Sequence, residues 1–156
     1  MRKRMIGAHV ADNPAAVSWL DLEQIAQVEL TSEDPDHPIE AALGGRAGSG
    51  WRAAGPGPQV IRLFFDRPQQ LRRIQLVFQE DVQPRTQELV LRWSQDGGQS
   101  YREILRQQYT FSPPGTTREV EEYQVDLANV TALTLEIAPD VSGGPARASL
   151  GTLRLA

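Results

Sequence analysis

The stretch VLRWSQDGGQSYREI, Val90 to Ile104, contains two alternating apolar runs separated by a short polar segment. Gly97 and Gly98 can adopt the positive φ that tight hairpin turns require, and Asp96 can hydrogen-bond the backbone of its own turn. The stretch therefore predicts a β-hairpin, and it sets the expectation for the rest of the chain.

The centre of this stretch, SQDGGQSY from Ser94 to Tyr101, resembles the Asp-box found in sialidases and in many other β-proteins. Sialidase chemistry also needs an arginine triad for the sugar carboxylate, a nucleophilic Tyr with its base, and several blades that repeat the box. One copy in 156 residues supplies none of that scaffold. We interpret the motif as a turn between two strands and not as a catalytic site.

Period-two alternation continues over most of the chain from Gln59 onward. The runs QVIRLFFD, LRRIQLVFQ and QELVLRWS place apolar side chains on one face and polar side chains on the other, which is typical of half-buried strands. Further runs bring the total to about eight: IAQVELTS, YREILRQQ, EEYQVDL, TALTLEIA and RASLGTLRL. Since no long amphipathic helix separates them, the pattern predicts an all-β, eight-stranded antiparallel sandwich.

The length of the chain fits one domain with a single substantial core. We divide it into an N-terminal extension, residues 1–24, and a sandwich domain, residues 25–156. Within the extension, Asn13 can cap a short helix over PAAVSWL, with Pro14 at the first helical position.

Composition argues against several partners. A net charge of -4 without a continuous basic stripe argues against nucleic-acid binding through phosphate contacts. No apolar run reaches the roughly 18 residues that cross a bilayer, so we expect no membrane partner. The absence of cysteine and the poor signal-peptide character of MRKRMIGAHVADNP favour a cytoplasmic location, while secretion stays open.

The sequence contains few combinations of residues that are typical of a catalytic site. His9 and His37 lack the spacing of a metal site, and no Gly-x-Ser-x-Gly elbow or phosphate-binding loop is present. Glu121 and Glu122 are neighbours that would point to opposite faces of a strand, which makes them a poor acid/base pair. We predict that the protein is not an enzyme.

Three segments, taken in order, resemble the discoidin or F5/8 type C domain of the galactose-binding-like superfamily. They are ALGGRAGSGW from Ala42 to Trp51, the hairpin stretch VLRWSQDGGQSYREI, and the tail TALTLEIAPDVSGGPARASLGTLRLA. The resemblance extends from Ile25 to Ala156 and implies a jelly roll whose loops at one end carry the ligand site. It also implies a carbohydrate as the most common ligand.

The chain departs from this family at two acidic positions. In many sugar-binding members an Asp and a late Glu help to hold a structural calcium ion, but Gly44 and Thr152 stand at those places. Calcium prefers six to eight oxygen ligands with carboxylates among them. We therefore predict no bound calcium, no other metal and no cofactor.

Three segments supply the candidate ligand-binding residues. The loop TSEDPDHPIE offers hydrogen-bonding groups for sugar hydroxyls, Arg85 corresponds to an arginine that galactose-binding members often use, and the run QQYTFSPPG offers an aromatic surface. The predicted set is Glu33, Asp34, His37, Arg85, Tyr109 and Phe111. The alternatives are a solvated acidic loop, a surface arginine and two core aromatics. If Arg85 binds the ligand, Arg85→Ala should abolish sugar binding and leave the fold intact.

Three functions follow from these observations. The first is a non-catalytic binding module, with a saccharide as the ligand. The second is an intracellular protein interaction or scaffold domain on the same fold, which the superfamily also provides; the segment WRAA is similar to one in a DNA-repair scaffold. The third, a hydrolase with an unusual site, has the least support in the sequence.

Overall fold

The computed structural model describes residues 18–44 and 50–156. The described chain contains two one-turn helices, α1 (Leu22–Ile25) and α2 (Glu40–Leu43). Its eight strands are β1 (Ala26–Leu30), β2 (Trp51–Pro56), β3 (Gln59–Gln79), β4 (Arg85–Ser94), β5 (Arg102–Phe111), β6 (Arg118–Ala138), β7 (Arg147–Leu150) and β8 (Thr152–Leu155). Every pairing between them is antiparallel, which confirms the predicted all-β sandwich. None of the helices in the described chain has the length and hydropathy needed to cross a membrane.

The long strands β3 and β6 connect the two layers of the sandwich. They pair along most of their length, and the register shifts three times between Phe64 and Arg73, where the pair bends. On one side of the bend they pair with β1 and β4, and β5 completes that layer in the order β1-β3-β6-β4-β5. On the other side β3 pairs with β8, and β7 pairs with β2. Each long strand thus contributes one half to each layer.

The core fills the space between the two layers. Alternation places the apolar side chains of each strand on its inner face, as the sequence predicts. The innermost residues are 0–1% exposed and come from β3, β4, β6 and β8: Ile61, Leu63, Ile74, Leu76, Phe78, Leu89, Leu91, Leu133, Leu135, Ile137, Leu153 and Leu155. Trp51 is also fully buried, and its indole N–H donates to the carbonyl of Ser32 at 3.1 Å.

Five features differ from the sequence-based expectation. The predicted runs EEYQVDL and TALTLEIA belong to one strand, β6, and the predicted run RASLGTLRL is divided into β7 and β8 at Gly151. The runs on either side of DRPQQ belong to one strand, because the chain bends there without losing its partner β6. Strand β2, in WRAAGP, was missed because its glycine and proline obscure the alternation. The predicted helix over Pro14–Leu20 lies mainly outside the described residues, and its described part, residues 18–20, is not helical.

Part of the predicted N-terminal extension packs onto the sandwich. Leu22 is 1% exposed, and the N–H of Leu20 donates to the carbonyl of Leu155 at 2.8 Å. The N–H of Arg72 donates to the carbonyl of Ala156 at the same end. We call the opposite end, formed by loops 31–38, 80–84 and 139–146, the loop end. The backbone contacts of Leu155 and Ala156 thus lie at one end of the sandwich, and the loop end lies at the other.

The turn at SQDGGQSY joins β4 to β5, as predicted, and is held by hydrogen bonds within the motif and by bonds to β6, where the Thr131 hydroxyl accepts from the Gly97 N–H and donates to the Ser94 carbonyl. The Asp96 carboxylate accepts from the Ser94 hydroxyl and from both the backbone N–H and the hydroxyl of Ser100. Gly97 and Gly98 have φ of 72° and 88°. The hydroxyl of Ser100, then that of Ser94, and then the Ser100 amide lower the pKa of Asp96 from 3.8 to about 2. These contacts occupy the carboxylate and account for the motif structurally.

The low pKa of Asp96 predicts a pH-dependent loss of stability. A carboxyl whose folded pKa is depressed stabilises the fold above its unfolded pKa, and that contribution disappears as the pH falls through the folded pKa. Asp96→Asn should therefore lower the melting temperature at pH 7, and the difference from the unmodified protein should shrink between about pH 4 and pH 2. Thermal melts followed by circular dichroism would measure it, with the exposed Asp66→Asn as the matched control. A melting difference that is equal at pH 7 and pH 2 would contradict this account.

Candidate functional site

An ion pair between Asp34 and Arg147 joins two segments at the loop end. The Arg147 Nη2 lies 2.7 Å from the Asp34 Oδ2, and the Arg147 Nε donates to the carbonyl of Ala53 at 2.8 Å. Both side chains are half-buried, with 34% of Arg147 and 23% of Asp34 exposed. The amide of Asp36 and then Arg147 lower the pKa of Asp34 below its ordinary value, so the carboxylate is ionised at neutral pH. The pair is fixed in position and open to solvent on one side.

The backbone of the loop holds His37 close to this pair. Asp34 and His37 form an isolated antiparallel bridge, in which the His37 N–H donates to the Asp34 carbonyl at 2.8 Å. The Arg52 N–H donates to the His37 carbonyl, and the Asp34 N–H donates to the Arg52 carbonyl. The charge of His37 further favours the ionised form of Asp34 and so contributes to its lowered pKa. The structure therefore brings together Asp34, His37 and Arg147.

Glu33 has a different position and contact. Its side chain is exposed, and its Oε2 accepts from the backbone N–H of Ile39 at 2.9 Å. Ile39 immediately precedes α2, so this bond satisfies one of the amides that the first turn of a helix leaves without a partner. One carboxylate oxygen of Glu33 thus stabilises the loop through Ile39. Glu33 makes no hydrogen bond to Asp34, His37 or Arg147 within the described chain.

Arg85 is buried beneath the loop end. Its side chain is 1% exposed, and its Nε lies 2.7 Å from the Glu80 Oε1. Its two Nη atoms donate to Gln87, to the Pro139 carbonyl and, at 3.3 Å, to Ser149. Burial opposes ionisation of Glu80, but hydrogen bonds from the Val82 amide and from Arg85 outweigh it and lower the pKa of Glu80. The four hydrogen-bonding partners of Arg85 all lie inside the protein, so its guanidinium has no face toward solvent.

The two predicted aromatic residues lie in the core. Phe111 is fully buried, and the guanidinium of Arg85 lies 5.1 Å from its ring centroid. Tyr109 is 5% exposed, and its hydroxyl lies 3.1 Å from that of Tyr123. Burial, together with this hydrogen bond, raises the pKa of Tyr109. Of the two alternatives for these residues, the structure places both in the core, where neither ring offers a face to a sugar.

Arg147 is the functional candidate that sequence reasoning missed. It stands 113 positions from Asp34 in the chain, so nothing local connects the two residues. Arg147 and Ser149 are two residues apart on β7 and therefore share one face of that strand. Since Ser149 contacts Arg85, the exposed Asp34 pair and the buried Glu80 pair are neighbours along β7. The available signal was the position of Arg147 directly after the loop PDVSGGPA.

Valines are the large apolar side chains that the loop end exposes. Val82, in loop 80–84, is 83% exposed, and Val141, in loop 139–146, is 50% exposed. The Val141 N–H donates to the Thr86 carbonyl at 2.8 Å, which anchors its loop to β4. In residues 18–44 and 50–156, no group of three or more His, Cys, Asp or Glu side chains has an arrangement that could hold a metal ion.

The fold matches solved structures that include two modules in complex with sugars and an F5/8 type C domain. A CBM32 module, CpGH89CBM32-5 from Clostridium perfringens, solved in complex with GalNAc-β-1,3-galactose, superimposes with a TM-score of 0.62 at 18% identity, covering 88% of this chain and 99% of that one. The CBM32 of AlyQ in complex with 4,5-unsaturated mannuronic acid gives 0.63 at 16% identity, with 90% and 98% coverage. An F5/8 type C domain from Bacteroides fragilis gives 0.62 at 15% identity, with 88% and 94% coverage.

These matches confirm that the chain has the discoidin, or F5/8 type C, fold of the galactose-binding-like type. A scan against protein-family models and a search of curated proteins give no match. At such low identity the similarity establishes the fold, and the chemistry of the loop end has to be derived from this chain's own residues.

The burial of Arg85 changes what its substitution is expected to do. Arg85→Ala would leave the Glu80 carboxylate buried without its cation, and breaking a buried pair in this way costs about 3 kcal/mol or more. We therefore expect a destabilised fold and not the intact fold that the sequence suggested. Urea unfolding would measure the free energy of unfolding.

The matched control for that experiment is Arg62→Ala, which removes an exposed arginine from β3. Surface substitutions of this kind usually change stability by less than about 0.5 kcal/mol. If Arg85→Ala were as stable as Arg62→Ala, the guanidinium of Arg85 could not be the internal tie that the structure shows.

Proposed function

We propose that the chain is a non-catalytic carbohydrate-binding module whose ligand site is the loop end, centred on Asp34, His37 and Arg147. The observation that carries this proposal is the half-exposed pair of Arg147 and Asp34. The proposal retains Asp34 and His37 from the sequence-based set and places Arg147 in the role that the sequence assigned to Arg85.

The geometry of the pair suits the hydroxyl groups of a sugar. Arg147 uses Nε for Ala53 and Nη2 for Asp34, and its Nη1 makes no hydrogen bond within the described chain. A guanidinium is a donor without acceptor capacity, and an ionised carboxylate is an acceptor without donor capacity. Neighbouring sugar hydroxyls can both donate and accept, so one can contact Arg147 while the next contacts Asp34. Hydrogen bonds to charged groups of this kind are stronger than those between neutral groups.

The loops at this end are held in place before any ligand arrives. Arg85 ties loop 80–84, the end of β6 and β7 together through Glu80, Pro139 and Ser149. A site whose supporting groups are already ordered loses less conformational entropy on binding. The buried arginine therefore supports recognition from below without contacting the ligand.

The charge states at the loop end support binding rather than hydrolysis. A glycosidase needs one carboxylic acid with a raised pKa to protonate the leaving oxygen. Here the pKa of Asp34, Glu80 and Asp140 is lowered in each case, so these groups are ionised acceptors at neutral pH. The amide of Asp36, the amide of Val82 and the hydroxyl of Ser142 provide the main stabilising hydrogen bonds.

The solved structures with this fold indicate which saccharides to try. Three carbohydrate-binding modules were solved in complex with GalNAc-β-1,3-galactose, galactose and 4,5-unsaturated mannuronic acid, and a mutant of the lectin domain of lectinolysin was solved with Lewis b. These range from neutral to acidic sugars, and an exposed guanidinium can serve either class. For this chain the ligand class is accordingly a neutral or acidic saccharide with neighbouring hydroxyl groups.

A protein partner is the second candidate, and the exposed valines favour it. Val82 and Val141 expose apolar surface at the loop end. The ten aromatic residues of the chain all lie in the described part, and those placed near this end, Trp51, Tyr109 and Phe111, are buried. A sugar ring usually stacks on an exposed aromatic face, whereas exposed aliphatic side chains suit a protein surface.

The first test is an NMR titration of isotope-labelled protein with galactose, N-acetylgalactosamine, galacturonate and Lewis b. We expect shifts that cluster on loop 31–38 and on the start of β7. Arg147→Ala should weaken binding about tenfold or more, because it removes a hydrogen bond to a charged group worth about 1.5–3 kcal/mol. Isothermal titration of both proteins with the best ligand would measure the change in Kd.

The matched control is Arg67→Ala, an exposed arginine in the bend of β3 at the other end of the sandwich. It should bind the sugar with unchanged affinity, and both variants should melt within a few degrees of the parent protein. Shifts confined to the tips at Val82 and Val141, or absence of binding across the panel, would instead support the protein partner.

A further inference from the structure

We infer that the free edge of β1 is a docking site for an extended, basic peptide segment of a partner protein, which would add a strand to the sheet. The surface concerned is the β1 groove, a concave region of about 500 Å³ between β1 and the two short helices. It is separate from the Asp34, His37 and Arg147 site and does not depend on the proposed saccharide function.

The first observation is that one edge of β1 has no strand partner among residues 18–44 and 50–156. β1 is the terminal strand in the order β1-β3-β6-β4-β5 and pairs with β3 on one side. The Thr31 N–H donates to the Val60 carbonyl at 3.0 Å. Since antiparallel neighbours alternate between bonded and non-bonded positions, Gln27 and Glu29 also face β3, and the backbone groups of Val28 and Leu30 face outward. Those outward groups are the template for an added strand.

The second observation is the apolar floor of the groove. Ala26, Val28 and Leu30 alternate with exposed Gln27 and Glu29 and are only half-buried, although they contact the core. Ile39 and Leu43 of the α2 region line the opposite wall. An added strand would place every second side chain against this floor, because side chains alternate between the two faces of a strand. The apolar surface that the groove leaves partly open would then be covered.

The third observation is the charge around the groove. Glu23, Glu33 and Glu40 line it, and no described lysine or arginine does so. The salt bridges in residues 18–44 and 50–156 do not include any of these three glutamates. A partner segment with Lys or Arg at alternate positions would meet complementary charge, which favours both association and register.

The same charges argue against a second copy of this chain as the occupant. Two β1 edges paired across a twofold axis would bring Glu29 and the three lining glutamates of each copy close together, and like charges opposite each other are destabilising. The groove also lacks an aromatic wall, so it does not offer a stacking face to a sugar. A basic extended peptide would pair with the outward backbone groups of β1, cover the apolar floor of the groove and complement its negative charge.

The test uses the full chain and the synthetic hexapeptide Ac-KVRVKV-NH2, with Ac-EVEVEV-NH2 as the peptide of matched shape and opposite charge. We expect the basic peptide to shift the Val28 and Leu30 amides and to slow their hydrogen exchange, while Gln27 and Glu29 change little because they already bond β3. The acidic peptide should not bind. N-methylation removes a backbone N–H donor, and only every second residue of an added strand donates to β1. Methylating one set of alternate residues in the basic peptide should therefore abolish binding, and methylating the other set should preserve it.

Charge-reversing variants test the electrostatic part. Glu23→Lys with Glu40→Lys should weaken binding of the basic peptide about tenfold at low salt, a difference that shrinks as salt screens the charges. The matched control, Asp81→Lys with Glu103→Lys, makes the same change in net charge away from the groove and should bind as the parent protein does. Failure of the basic peptide to bind, equal binding by both N-methylated forms, or a dimer paired through β1 would overturn the inference.

Discussion

The buried guanidinium of Arg85 is the contact on which the loop end depends. An arginine so completely removed from water is tolerated only where its donors find acceptors, and here Glu80, Gln87, Pro139 and Ser149 supply them. These partners belong to different strands and loops, so one side chain fixes the relative positions of both layers at this end. The ring of Phe111 beneath the guanidinium completes the enclosure.

This constraint separates support from recognition. The guanidinium of Arg85 donates its hydrogen bonds to acceptors inside the protein. A ligand would therefore have to be bound by side chains that lie closer to the surface. Arg147 shares a face of β7 with Ser149 and presents its guanidinium beside Asp34, where a third of the side chain is exposed. The two arginines form similar ion pairs in different environments. Burial makes the Glu80 pair a structural tie, and partial exposure makes the Asp34 pair available for binding.

Local patterns in the sequence were sufficient to predict the fold. Alternation of apolar residues identified seven of the eight strands in whole or in part, and the turn at Asp96 follows from residues within seven positions of one another. The bend of β3 could not be read from DRPQQ, because a proline and polar residues there indicate a loop. Pairing with β6 on both sides of the bend keeps that segment extended. Tertiary contacts override the local signal at such a point.

The candidate site was less accessible to sequence reasoning for the same physical reason. Asp34 and His37 lie three residues apart in one loop and could be identified together, but their cation comes from the far end of the chain. The polarity of Arg85 suggested a surface position, and its burial depends on acceptors that converge only in the folded state. Tyr109 and Phe111 alternate with polar residues on β5, so they could equally have faced outward at a rim. Alternation along a strand shows which residues share a face, but it does not identify the face that is buried.

The two proposed recognition surfaces would use different physical interactions. The loop end offers charged hydrogen-bonding groups on a rigid support, which suits a small polar ligand that must be oriented. The β1 groove offers unpaired backbone groups, aliphatic side chains and negative charge, which suit an extended chain recognised mainly through its backbone. Because different strands supply Arg147 and Val28, occupation of one surface does not require the other to be empty. Under the two proposals, a single sandwich of this size would bind a saccharide through its loops and a protein through its edge.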